Sequence, residues 1–221
     1  MKLQVCDVYY SYQTKYQTRD VLCGVTAKFQ EGKFYAIMGP SGSGKTTLLS
    51  LMAGLDIPKQ GEILYNGKSL SQQDRDVYRK EHVSVIYQNF NLFSHLSVLE
   101  NVMYPLICNG IRRKEAEEFA LEKLGCVGLS EEQGNRFPNM LSGGEQQRVA
   151  IARALAVGSE IILADEPTGN LDEENSGKIV KLLEQLAHES QRCVVVVTHD
   201  EEVGNAADVK LHMQSGKFAE K

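Results

Sequence analysis

No stretch of this 221-residue chain approaches the ~20 consecutive apolar residues that a membrane-spanning helix needs. The longest apolar run, around Cys193 to Val197, is strand-sized. The opening Met1-Lys2-Leu3-Gln4-Val5 has neither the apolar stretch nor the small-residue cleavage site of a signal peptide. Any membrane role is therefore expected to run through a partner. The five cysteines (Cys6, Cys23, Cys108, Cys126 and Cys193) are odd in number and show no C-x-x-C spacing. That argues against a disulfide framework or a zinc site and fits a reducing cytoplasm. Positive charge is not in excess: 24 Lys and Arg against 29 Asp and Glu leave a net −5, which disfavours broad attraction to nucleic acid. There is no internal repeat, low-complexity tract or flexible linker. What is present is 42% hydrophobic and 24% charged, the balance of a soluble globular protein. The length suits one enzymatic core with an embedded subdomain and is too short for two independent enzymes.

Alternating apolar residues place strands early, at Leu3 and Val5 and again at Val25, Ala27 and Phe29, with Glu31-Gly32 as a turn. Phe34 to Met38 reads as a short buried strand ending at Gly39. Asn66-Gly67, after Ile63 and Tyr65, is a hairpin signal. The first third is thus expected to be partly antiparallel, wrapped around one strand that feeds a loop and a helix. From about Phe90 to Met140 charged, helix-favouring sequence dominates, as in Arg112 to Leu124 between Gly110 and Gly125. The last third alternates strands (Glu160 to Ala164, Cys193 to Val197) with helices. One helix carries an apolar face of Ile179, Leu182, Leu183, Leu186 and Ala187. Such alternation implies a largely parallel sheet.

Gly39-Pro40-Ser41-Gly42-Ser43-Gly44-Lys45-Thr46 satisfies G-x-x-x-x-G-K-[ST] at every fixed position. Glycines let a backbone curl so that its N–H groups converge on phosphate oxygens, and the following helix (Thr47-Leu48-Leu49-Ser50-Leu51-Met52) adds its positive end. Lys45 is expected to hold the β- and γ-phosphates and Thr46 to ligate Mg²⁺. A glycine-rich turn with an exposed lysine is the plainer alternative, and the preceding apolar strand argues against it.

Ile161-Ile162-Leu163-Ala164 runs into Asp165-Glu166-Pro167. Ligand sites in parallel sheets form at the carboxyl ends of strands. Asp165 is therefore placed for the Mg²⁺ shell and Glu166 for polarising an attacking water. An acidic turn capping the next helix is the alternative reading.

Leu141-Ser142-Gly143-Gly144-Glu145-Gln146-Gln147-Arg148 opens a second helix with a serine and two glycines, a second anion-binding nest. Two nests and one nucleotide loop invite the idea that the second serves a nucleotide held by another molecule. This segment resembles the signature motif of ABC ATPases, and the family's other motifs follow in order across essentially the whole chain. Gln88, after Val83-Ser84-Val85-Ile86-Tyr87, matches the Q-loop glutamine. Asp172, in Thr168-Gly169-Asn170-Leu171-Asp172, matches the D-loop aspartate. His199, after Val194-Val195-Val196-Val197-Thr198, matches the switch histidine. Tyr12 lies where the family places an adenine-stacking aromatic, although Tyr9, Tyr10 and Tyr16 are close by.

The resemblance implies an α/β fold: a P-loop NTPase (RecA-like) core with a mainly parallel sheet, an N-terminal antiparallel β subdomain and an inserted α-helical subdomain. Residues 1–221 form a single nucleotide-binding domain, with about 1–88 and 150–221 as core and about 89–149 as the helical part. It implies an ATP hydrolase that closes as a head-to-tail homodimer on two ATP-Mg²⁺. Nucleotide contacts come from Tyr12, Gly39 to Thr47 and Asp172, with Ser142, Gly143, Gly144 and Glu145 supplied by the other subunit. Lys45, Gln88, Glu166 and His199 take catalytic roles; Thr46, Gln88 and Asp165 take the metal.

Ile37 to Lys45, Asn89-Phe90-Asn91-Leu92, Leu99-Glu100-Asn101-Val102 and Ala164 to Asp172 resemble a narrower group. Those are stand-alone ATPases serving lipoprotein release, macrolide or antimicrobial-peptide export, and cell-division signalling. The implied partner is an integral membrane permease, contacted near Asn89 to Val102, with the ATPase peripheral on the inner membrane face. Two departures stand out: Ser94-His95, where the group is more apolar, and Gly158-Ser159, where a proline is common and only a turn is expected to change. ABC ATPases acting on nucleic acid carry coiled-coil or zinc-bearing insertions for which 221 residues leave no room. A regulatory output, gating an extracellular hydrolase or a sensor kinase, stays open beside transport.

Overall fold

Strand β1 (Leu3–Gln13) turns Leu3, Val5, Val8 and Tyr10 into the interior and pairs antiparallel with β2 (Thr18–Phe29), setting Tyr12 opposite Arg19. The computed structural model describes residues 1–13, 15 and 17–219; Tyr16 lies outside them. The chain continues through β3 (Lys33–Met38), buried from Phe34 to Met38, and residues 39–44 into α1 (Lys45–Met52). Strand β4 (Gln60–Tyr65) returns to the free edge of β1 and turns at Asn66-Gly67 into β5 (Lys68–Ser69). These strands make an antiparallel sheet of order β2-β1-β4-β5.

Helix α2 (Arg75–Glu81) precedes β6 (Val83–Ile86). A run of helices follows: α3 (Val98–Cys108), α4 (Arg113–Cys126), α5 (Glu131–Gly134) and α6 (Gly143–Ala156). The chain then alternates β7 (Ile161–Asp165), α7 (Glu173–His188), β8 (Cys193–Thr198), α8 (Glu201–Ala206), β9 (Val209–Gln214) and β10 (Lys217–Phe218). The second sheet has the order β10-β9-β3-β8-β7-β6 and is parallel except at β9–β10. The expected α/β architecture, with one antiparallel and one mainly parallel sheet, is what forms.

Strand periodicity divides the core. Phe34, Ile162, Val194 and Val196 face the layer holding α3, α4, α6 and α7, while Tyr35, Ile37, Leu163, Val195 and Val197 face α1 and the antiparallel sheet. A strand buried on both faces reads as an unbroken apolar run, which is why Cys193 to Val197 looks as it does. Register puts Met38 beside Thr198 and Asp165 beside Val197, so the carboxyl ends of β3, β7 and β8 lie side by side.

Some boundaries differ from the sequence expectation. Helix α4 passes through Gly125 to Cys126, and Gly128 (φ 72°) ends it instead, after Val127. The backbone reverses there, with Leu129 N–H donating to the Leu124 carbonyl at 2.9 Å. On α7, Val180 joins the buried face while Leu182 is only half-buried. Ser159 does more than shape a turn: it is fully buried and its hydroxyl pairs with that of Ser84 at 2.7 Å. All five cysteines are free thiols. Among the described residues no helix is long and apolar enough to cross a membrane.

Candidate active site

Residues 39–44 join β3 to α1, with Gly44 as the residue preceding the helix at φ 107°. A Cβ there would lie 2.8 Å from the Val21 carbonyl oxygen and 2.9 Å from Leu22 Cδ2, so both conformation and space demand glycine. The first turn of α1 carries no acidic residue, which leaves its N–H groups and positive dipole end open to an anion. Lys45 is 7% exposed, and its ammonium donates to the carbonyls of Gly39 (2.7 Å) and Pro40 (3.2 Å). Both hydrogen-bond acceptors are neutral, and the carboxylate that feels its charge, Asp165, makes no ion pair with it among the described residues. The buried Ser43 hydroxyl has no hydrogen-bond partner among the described residues. Loop, lysine and orphaned hydroxyl together fit a phosphate group.

Asp165 ends β7 and accepts from the Thr46 hydroxyl at 3.2 Å. Burial pushes its carboxyl above the usual aspartate range; the Thr46 hydrogen bond opposes this and the neighbouring Glu166 adds to it. A hydroxyl beside a half-buried carboxylate fits a hard divalent cation. Glu166 follows at φ 46°, a left-handed conformation that costs a non-glycine residue about 1–3 kcal/mol. Its backbone N–H still bonds Val197 (2.9 Å), and the turn aims its side chain at the end of β8. There Oε2 accepts from the Thr198 hydroxyl (3.0 Å) and the His199 N–H (3.3 Å), while Oε1 lies 2.9 Å from His199 Nδ1.

Gln88, just past β6, donates to Asn170 Oδ1 at 3.4 Å, and Asn170 Nδ2 donates back to the Gln88 carbonyl at 3.0 Å. Asn170 thereby clasps the segments leading into α3 and α7. The Tyr12 hydroxyl is 3.3 Å from that of Thr47, and its half-exposed ring meets Tyr10 edge-on at 5.2 Å. Tyr10 is engaged with Asp56, whereas Tyr12 lines the cavity.

A cavity of about 780 Å³ gathers Tyr12, Ser41, Gly42, Gly44, Lys45, Thr46, Thr47, Gln88, Asp165, Glu166 and His199. Gly39, Pro40 and Ser43 are not among its lining residues. Five lining residues were not singled out from sequence: Arg19, Asp20, Val21, Ser215 and Gly216. The last two form the turn after β9, locked by Gly216 N–H to the Ser43 carbonyl at 3.0 Å. Only long-range pairing brings them here, and no local motif announces it.

Ser142, Gly143, Gly144, Glu145 and Asp172 are not on this cavity. Ser142 precedes α6 in a reciprocal cap: the Glu145 N–H donates to its hydroxyl (3.3 Å), and Glu145 Oε2 accepts from the Ser142 N–H (2.8 Å). The Glu145 carboxylate is therefore already engaged, and these contacts hold it below the usual glutamate range against the opposing effect of burial; the Ser142 N–H is the largest cause. A Cβ on Gly144 would lie 2.6 Å from Asn175 Cγ. Asn175 in turn donates to Asp172, which caps α7. The second nest and Asp172 thus form one surface, apart from the first nest.

A strand–loop–helix with an open anion cradle, beside an acidic strand end in a parallel sheet, defines the nucleotide-hydrolysing P-loop class. The family model described as ABC transporter matches residues 22–169, and the chain belongs to that family. It is 43% identical over 219 residues to the uncharacterized ABC transporter ATP-binding protein YclH of Bacillus subtilis, covering 99% of this chain and 96% of that one. It is 40% identical over 222 residues to the lipoprotein-releasing system ATP-binding protein LolD of Acinetobacter baylyi, covering 99% and 97%. Among solved structures, a dimeric post-hydrolysis state of the ATP-binding cassette MJ0796 bound to ADP and Pi aligns with a TM-score of 0.91 at 38% identity, covering 99% of this chain and 97% of that one. The chain is an ABC transporter ATP-binding subunit and an ATP hydrolase.

Proposed function

We propose that this chain is the motor subunit of an export or mechanotransmission machine, closing head-to-tail as a homodimer on two ATP-Mg²⁺ and driving a separate membrane permease. The observation that carries the reading is the separation of the two nests. Ser41, Gly42 and Gly44 to Thr47 line the cavity, whereas Ser142 to Gly144 lie off it on a surface shared with Asp172. The dimeric MJ0796 cassette and LolD, named for a lipoprotein-releasing system, agree with it.

In this mechanism Lys45 exchanges the Gly39 and Pro40 carbonyls for the β- and γ-phosphates, and Tyr12 stacks on the base. Thr46, Asp165 and Gln88 would hold the metal, which would supply charge neutralisation on the phosphates when bound. Glu166 orients and deprotonates the attacking water. His199, already bonded to Glu166, fixes its orientation and faces the γ-phosphate. Ser142, Gly143, Gly144, Glu145 and Asp172 complete the other subunit's site. Loss of γ-phosphate removes the contacts that favour closure, so the population shifts to the open pair.

The division into a core (about 1–88 and 150–221) and a helical part (about 89–149) belongs to the same proposal, with the helical part as the lever toward the permease. Within Asn89 to Val102, the residues Val98, Asn101 and Val102 are buried, so contact narrows to the exposed Phe93 and its surroundings. Phe93 packs on Tyr104 at 4.7 Å, beside a groove of about 380 Å³ lined also by Leu55, Tyr87, Arg79 and Arg153. An apolar permease segment bearing a carboxylate suits this groove, which would hold the chain at the inner membrane face.

The test is the ATPase rate per chain against protein concentration. A site built from two chains gives a specific activity that rises with concentration and then saturates. A constant value across the nanomolar to micromolar range would contradict the composite site.

A further inference from the structure

One wall of the cavity has no part in the chemistry above. Arg19 stands near the start of β2, directly opposite Tyr12 of β1. Cross-strand partners send their side chains to the same face, with Cβ atoms about 5 Å apart, and both residues line the cavity. The guanidinium reaches toward the phosphate loop: its Nη2 lies 3.9 Å from where a Cβ on Gly42 would stand. Asp20 shares the wall, yet among the described residues Arg19 forms no ion pair with it or with any other carboxylate. A guanidinium offers five donors and no acceptor and stays charged at every working pH. A group of that kind, held beside a loop of convergent N–H groups, matches a polyanion. The neutral base end of the cavity is marked instead by the Tyr12 hydroxyl near Thr47.

We propose that Arg19 is a further nucleotide-binding residue, donating to the phosphate tail from the β1–β2 hairpin while Lys45 holds it from the loop. The proposal rests on reading the cavity as the ATP site. It makes the hairpin a two-point clamp, with a ring for the base and a cation for the phosphates on paired residues of adjacent strands.

The test is displacement of a fluorescent ATP analogue by ATP and, separately, by AMP, in the wild type and in Arg19→Ala, Arg19→Lys and Arg19→Gln. The Lys and Gln variants keep a long stem and carry the test should the alanine variant misfold, which a urea midpoint reveals. The Kd for ATP should rise about five- to tenfold in the Ala and Gln variants and less in Lys, while AMP changes by less than about twofold. Unchanged ATP affinity in the Gln variant would overturn the proposal. Equal weakening of ATP and AMP would overturn it too, because it would place Arg19 at the base end. Absence of ATP binding by the wild type would instead overturn the reading of the cavity, and the Arg19 proposal with it.

Discussion

Nδ1 of His199 lies 2.9 Å from Oε1 of Glu166, and the backbone N–H of the same histidine donates to the other carboxylate oxygen at 3.3 Å. Two neighbouring strands, β7 and β8, thus present a carboxylate oriented by an imidazole. Both residues should act on the chemical step rather than on binding. Glu166→Gln and His199→Ala should each lower kcat by about 10²- to 10⁴-fold, the range for loss of a general base or the group that orients it. ATP affinity should change by less than about threefold. Phosphate release together with fluorescent-ATP titration separates the two quantities.

Lys45 makes the opposite case. Its ammonium donates to two loop carbonyls, and the proposed function has it release both for phosphate. Lys45→Ala should bind ATP at least about fiftyfold more weakly, as expected for loss of a charge-assisted contact in a mostly buried setting. Near-wild-type affinity by titration calorimetry would refute the loop assignment.

The Asp165 carboxyl is pushed up mainly by burial. A carboxyl whose folded pKa exceeds its unfolded value destabilises the folded state above that folded pKa, and the penalty fades as pH falls through it. Asp165→Asn should therefore stabilise the nucleotide-free protein at pH 7 and lose that advantage toward pH 4. The same variant should lose the extra stabilisation that Mg-ATP gives the wild type. Thermal melts across pH, with and without Mg-ATP, check both signs.

Asn101 tests the scaffold under the proposed permease contact. It is fully buried, accepts from the Phe93 N–H at 2.8 Å, and donates to the carbonyls of Phe93, Leu96 and Ser97 at 2.9–3.1 Å. Asn101→Ala strands these backbone groups and should cost about 2–4 kcal/mol by urea unfolding. It should also loosen the loop carrying Phe93. Coupling to membrane partners would then suffer more than basal ATP hydrolysis.

Legibility in the sequence followed the range of the interactions. Residues 33–52 were readable because strand, loop and helix are consecutive and each leaves a local mark: an apolar run, glycines, then Lys45-Thr46. Asp165-Glu166 and Ser142 to Glu145 were readable for the same reason. Helix α2, capped by Asp74, is too short and charged to show a periodic face. Strand β9 is half-exposed along most of its length, with no clean alternation to betray it. Arg19, Val21 and Gly216 reach the cavity through pairing of β1 with β2 and through the turn after β9, contacts that no window of adjacent residues encodes. Gly128 rather than Gly125 ends α4, because a helix tolerates an interior glycine but needs one where φ turns positive.

The most direct measurement is the mass of Glu166→Gln by light scattering with and without Mg-ATP. The account predicts a monomer without nucleotide or with ADP, and a dimer near twice the 24.6 kDa chain mass with Mg-ATP. Adding Ser142→Arg to that variant should abolish the dimer while leaving ATP bound. A strict monomer with ATP bound, or a dimer indifferent to nucleotide and to Ser142, would contradict it.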